Sequence, residues 1–147
     1  MTISEKIPSR LELVPEFVAN ITNKVKHLLS EKELFNIRLS LEEALVNAIK
    51  HGNKQNPDLY VKVTVEADKD CISMKVVDEG AGYDFKALPN PTAEGNLHKA
   101  SGRGIFLVQN LMDKVVFFDC GRGIEMIKFL KKGIKEGERE NKRREIK

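Results

Sequence analysis

The order of hydrophobic and polar positions along the chain predicts eight elements. From Ser9 to Val14, Leu11 and Leu13 point one way and Arg10 and Glu12 the other, the period of a half-buried strand. Pro15 and Glu16 then suit the first turn of a helix, and Phe17, Val18, Ile21, Val25, Leu28 and Leu29 form its apolar stripe. Ser30 followed by Glu33 is a capping-box pattern. After it Leu34, Ile37, Leu41, Ala44, Leu45 and Ala48 recur at helical spacing, until Gly52 and Pro57 stop the run.

Leu59, Val61, Val63, Val65 and Ala67 alternate with Tyr60, Lys62, Thr64 and Glu66, and after Asp68, Lys69 and Asp70 a second run puts Ile72, Met74 and Val76 on one face. This predicts a β-hairpin. Residues 83 to 101 show no period and exceed the ~12 to 15 residues usual for a structureless connection, so they are read as a loop with a function. Ile105, Val108, Leu111 and Met112 mark a short helix, and Val115 to Cys120 with Ile124 to Leu130, joined through Gly121, Arg122 and Gly123, mark a closing hairpin. The order is βααββ, loop, αββ. Strands arriving as hairpins, with one-sided alternation, predict an α/β (α+β) two-layer sandwich: a mixed, mostly antiparallel sheet with helices on one face.

Composition adds bounds. A chain of 147 residues, 41% hydrophobic, supports one domain without disulfide or metal staples. The expected division is a domain over residues 1–131 and a charged tail over 132–147. Residues 131 to 147 carry eight Lys/Arg against four Glu, leaving 17 basic and 18 acidic residues elsewhere; the domain itself therefore offers no basic face for nucleic acid. Cys71 and Cys120 stand in apolar stretches without C-x-x-C spacing, and are expected as buried thiols of a reducing compartment. No apolar run reaches the ~20 residues of a membrane span and the N-terminus lacks a signal-peptide pattern, so the expected location is the cytoplasm.

Walker and Rossmann fingerprints are missing, as are a G-x-S-x-G elbow and a zinc-helix spacing of histidines. Three other segments carry candidate chemistry. In the second helix, Glu43 and Asn47 stand one turn apart, off the core stripe, where an amide oxygen can ligate Mg²⁺ and a carboxylate can take a proton from an attacking hydroxyl. Such a pair is also common on solvated helix faces. In Asp78-Glu79-Gly80-Ala81-Gly82, Asp78 shares the inward parity of Ile72, Met74 and Val76, and a carboxylate aimed inward requires a donor, for which the exocyclic amino group of adenine is one candidate. An Asp-Gly turn is the plain alternative. Ser101-Gly102-Arg103-Gly104-Ile105 runs into a helix, where free N–H groups and the Arg103 charge would face a phosphate, unless the glycines only punctuate a loop.

Taken together, these segments resemble the N box and the two glycine boxes of the GHKL ATP-binding superfamily, which includes histidine kinases, gyrase and mismatch-repair ATPases. Asp78 to Asp84, Leu88-Pro89-Asn90-Pro91, Ser101 to Val108 and Leu111 to Val115 are similar to RsbW-type anti-sigma factor serine kinases, and the likeness covers about Ser9 to Lys131. The resemblance implies a Bergerat-type fold that binds ATP and Mg²⁺, phosphorylates a serine or threonine of an anti-anti-sigma antagonist, sequesters a sigma factor and forms a homodimer. Nucleic acid and membrane are not implied as partners. It further implies Glu43 as catalytic base, Asn47 as magnesium ligand, Asp78 as the adenine-reading carboxylate, Gly80, Gly82, Gly102, Arg103 and Gly104 as ATP-contacting residues, and 83 to 101 as an ATP lid. The superfamily commonly has a Thr near adenine in the closing hairpin, where this chain reads Gly121-Arg122-Gly123-Ile124. Two rival readings follow: a nucleotide-binding, partner-sequestering module without transfer, and a histidine-kinase ATPase domain, for which His27 lacks a phospho-acceptor context.

Overall fold

A computed structural model describes residues 1–81 and 99–131. Strand β1 (Thr2–Pro8) is followed by helices α1 (Val14–Val25) and α2 (Glu31–Asn47), strands β2 (Tyr60–Ala67) and β3 (Cys71–Val77), helix α3 (Lys99–Leu111), and strands β4 (Lys114–Phe118) and β5 (Gly123–Phe129). The sheet order is β1-β2-β3-β5-β4, and all neighbours pair antiparallel. Ile3 and Ile7, Val61, Val63 and Val65, Ile72, Met74 and Val76, and Ile124 and Met126 are the buried face of this sheet. They meet Val18, Ile21 and Val25 of α1 and Ile37, Leu41, Ala44 and Leu45 of α2 in one core, to which α3 adds Val108. The two-layer architecture predicted from the alternation is therefore observed.

The capping box forms as its spacing predicts: Ser30 Oγ accepts from the Glu33 N–H at 3.1 Å, and Glu33 Oε1 from the Ser30 N–H at 2.9 Å. Glu33 Oε2 also accepts from the Lys131 N–H at 2.8 Å, which fastens the end of the described chain to the start of α2. Pro15 lies in the first turn of α1, as expected from its preset φ.

Three expectations are corrected. The first strand lies at Thr2–Pro8, and Leu11–Leu13 form a 3₁₀ turn instead. The inward series Ile3, Glu5, Ile7 is broken by an exposed carboxylate, which hides its period; Glu5 lies at the sheet margin, 3.5 Å from Lys24 of α1. Cys120 is exposed, and Cys71 is only partly buried. The apolar run preceding Cys120 is the edge strand β4, whose Val116, Phe117 and Phe118 are themselves exposed, so apolar neighbours did not mean burial there. Helix α3 begins at Lys99, so the glycine pair lies inside its first turns rather than ahead of it. The remainder of the predicted lid and the tail over 132–147 lie outside the described residues.

Candidate functional site

Helix α2 does not end as an ordinary helix. Ala48–Gly52 form a π-helical turn, and the Asn53 N–H donates to the Ala48 carbonyl at 2.8 Å. Such wide turns insert one residue into the helical ladder and recur at functional sites. Lys54 and Gln55 then adopt left-handed φ values of 52° and 58°, which turn the chain away toward β2. Along this stretch Ala44, Asn47, Ala48, His51 and Gly52 form one wall of a cleft, faced by Val76 and Asp78 from β3 and its extension. Ile105, Phe117 and the hairpin residues Gly121 to Ile124 complete it. The cleft opens to solvent, and its enclosed part is small, about 60 Å³.

Asp78 lies just past β3 with the inward parity predicted for it, and is 7% exposed. Its Oδ1 accepts from the Gly80 N–H at 2.8 Å. Burial raises its pKa above the ordinary carboxylate value, against the opposing effects of that hydrogen bond and of the Arg122 charge. A carboxylate with a penalised charge at the floor of a cleft is suited to a ligand that brings its own N–H donor. The packing here needs glycine: a Cβ on Gly80 would lie 2.0 Å from the Gly52 carbonyl oxygen, and one on Gly52 2.2 Å from Asp78 Oδ2.

At the other end, Glu43 and Asn47 approach α3 at Gly104. A Cβ on Gly104 would lie 2.6 Å from Glu43 Oε2 and 3.4 Å from Asn47 Nδ2. The glycine thus allows α3 to close on α2, which explains why it is tolerated within a helix that would otherwise disfavour it. By the rule that only the first few N–H groups of a helix lack internal partners, the free donors of α3 lie around Lys99, before Gly102 and Gly104. Arg103 lies on the same helix; Gly82 is outside the described residues.

The Asn47 amide nitrogen is buried without a hydrogen-bond partner among the described residues. The amide is thus presented with unused capacity, and rotating it exchanges nitrogen for an oxygen of the hard type Mg²⁺ prefers. Among the described residues no cluster of three or more His, Cys, Asp or Glu is arranged to hold a metal. One amide and no cage suits a Mg²⁺ ion carried in on phosphates better than a resident ion, because Mg²⁺ keeps several waters and takes few protein ligands.

One residue that sequence reasoning passed over organises the site. Asn53, 2% exposed, donates through Nδ2 to Ser9 Oγ at 2.9 Å and to the Tyr60 carbonyl at 3.0 Å, and accepts at Oδ1 from the Glu79 N–H at 2.8 Å. The β2–β3 ladder ends at the pair Lys62 and Val77, so Tyr60 lies beyond it. Its N–H is taken by Glu79 Oε2 at 2.7 Å and its carbonyl by Asn53. Where β3 leaves the sheet, two side chains therefore replace the lost ladder bonds and fix the segment that carries Asp78. The only sequence cue was an Asn following a helix-ending His-Gly, which reads as ordinary turn chemistry.

The family model described as a histidine kinase-like ATPase domain matches residues 7–128. The chain belongs to that family. This histidine kinase-like ATPase domain is also similar to curated proteins named serine-protein kinase RsbW. That of Staphylococcus epidermidis is 31% identical over 103 residues, covering 65% of this chain and 65% of the relative's own length. Those of Listeria innocua and Listeria monocytogenes are 23% identical over 141 residues, covering 88% of this chain and 90% of theirs. Among the described residues no helix is long and apolar enough to cross a membrane.

Proposed function

We propose that this ATPase-like domain is an RsbW-type serine/threonine protein kinase, which uses Mg²⁺ and ATP to phosphorylate an anti-anti-sigma antagonist and holds a sigma factor when the antagonist is absent. The observation that carries the reading is the layout of one cleft, with a buried carboxylate, Asp78, on its floor and the amide of Asn47, whose nitrogen has no hydrogen-bond partner among the described residues, one helical turn from a second carboxylate, Glu43. The similarity to serine-protein kinases supports it.

Phosphoryl transfer asks chiefly for alignment and charge neutralisation. Asp78 would accept a hydrogen bond from the adenine amino group, and the apolar wall of Val76, Ile105 and Ile124 would pack on the ring. Asn47 would hold Mg²⁺, which supplies charge neutralisation on the phosphates. Glu43 would take the proton from the acceptor hydroxyl, and the helix N-terminus near Lys99 with the Arg103 charge would face phosphate. Gly80 and Gly104 would serve the site through the close packing they permit beside Asp78 and Glu43, and Gly82 and Gly102 would contact the nucleotide. A homodimer is part of the proposal, on the family likeness alone.

The test is incubation with labelled ATP, Mg²⁺ and candidate small antagonists. Transfer to a serine or threonine is expected, and Glu43→Ala should keep nucleotide binding while losing transfer by roughly 10²- to 10⁴-fold, the usual worth of a positioned base. Nucleotide binding with no transfer to any antagonist would leave a binding module in place of the kinase. An unchanged transfer rate in the variant would remove Glu43 from the mechanism.

A further inference from the structure

We propose that Arg122 is a positioning residue for nucleotide recognition, its backbone and guanidinium together holding the segment Asp78–Ala81 in the conformation that presents the Asp78 carboxylate to a base. The proposal rests on reading the cleft as a nucleotide site. The β3–β5 ladder ends at the pair Val77 and Gly123, so Asp78 and Arg122 are the next residues on each side. The Asp78 N–H donates to the Arg122 carbonyl at 3.0 Å. The side chain then reaches across the same gap: Nε donates to the Gly80 carbonyl at 2.7 Å and Nη2 to the Ala81 carbonyl at 2.9 Å. Nη1 donates to Asp119 Oδ1 at 3.2 Å, which orients the fork.

One residue thus holds three backbone groups of a segment that has left the sheet. Gly80 and Ala81 have no strand ladder of their own, and two successive carbonyls match a planar fork of N–H donors as no single ammonium can. The turn that delivers Arg122 is itself unusual. Asp119, Cys120 and Gly121 carry left-handed φ values of 52°, 54° and 84° in succession, and for the two non-glycine residues such a conformation persists where surrounding contacts over-determine it. The guanidinium charge also opposes the burial effect on Asp78, favouring the ionised acceptor.

Calorimetry on the full chain with Mg·ATP, Mg·ADP and adenosine tests the assignment. Arg122→Ala is expected to weaken all three by the same factor, about tenfold, because the lost contacts act through the base-facing loop and not through phosphate. Millimolar guanidinium should restore part of the affinity, and Arg122→Lys should behave like the alanine variant. If Arg122→Ala does not fold, Asp119→Asn, which removes the charge that pairs with the fork while keeping an amide acceptor, should show a smaller loss with the same equal pattern. Wild-type binding with unchanged affinities in the variants overturns the proposal, as does a loss confined to the phosphorylated ligands. A loss without rescue that tracks a lowered unfolding midpoint of the free protein overturns it in favour of a purely structural role. A wild-type chain that binds none of the three ligands overturns the nucleotide-site reading, and this proposal with it.

Discussion

Replacing Asn53 by alanine isolates the polar joint beneath the site. The substitution leaves the Glu79 N–H and the Tyr60 carbonyl without their partners, while Ser9 Oγ keeps its own bond to the Leu59 carbonyl at 2.8 Å. Each stranded buried group costs about 1–3 kcal/mol, and because both bonds are only partly shielded from water the lower half of that range applies, for a total of about 2–4 kcal/mol. A domain of this size loses about 2–4 °C of midpoint per kcal/mol, so a fall of roughly 4–16 °C is expected by differential scanning calorimetry. The same variant frees the start of the Asp78 segment, so nucleotide affinity measured on the folded protein should fall as well. A midpoint within about 2 °C of wild type, with unchanged affinity, would refute the view that Asn53 substitutes for the missing ladder bonds. Asn53→Asp separates geometry from charge, since it keeps an acceptor for Glu79 but loses both donors; it should be no more stable than the alanine variant.

Two further outcomes are expected. Asp78 has a raised folded-state pKa, so between its ordinary value near 3.8 and that raised value the folded state binds more protons than the unfolded one. Its contribution to stability therefore declines as pH rises through this window. Asp78→Asn should accordingly stabilise the nucleotide-free protein at neutral pH while abolishing adenine binding, and thermal unfolding with and without ATP reads both; a variant that is less stable yet still binds would show that burial is not the dominant effect. Gly104→Ala should change stability by less than about 1 kcal/mol, because its gain in helix propensity offsets displacement of the flexible end of Glu43. Phosphate transfer should nevertheless fall, and an unaltered transfer rate would show that the Glu43 carboxylate is not needed where it stands.

Periodicity in the sequence was enough for the element order, the hairpins, the capping box at Ser30 and the inward orientation of Asp78, since each depends on spacing within one segment. Glu43 and Asn47 were visible as a pair because four residues make one turn. The position of the first strand was not, because the edge of the sheet accepts a charged residue, Glu5, on its inward row. Nor was the exposure of Cys120, which depends on the strand before it, β4, lying at the sheet edge, whereas Cys71 lies on the row of β3 opposite the buried Ile72, Met74 and Val76.

Tertiary structure alone decided how these pieces meet. The π turn at Ala48–Gly52 and the four bonds around Asn53 and Glu79 join Ser9 just after β1, Asn53 just after the π turn, Tyr60 of β2 and Glu79 in the loop after β3. The approach of Gly104 to Glu43 and the reach of Arg122 to Gly80 and Ala81 likewise span more than 40 positions of chain. Local propensity carries no record of such partners. They are selected because backbone groups that leave a sheet must still be hydrogen-bonded, and only the folded arrangement determines which side chain is near enough to do it.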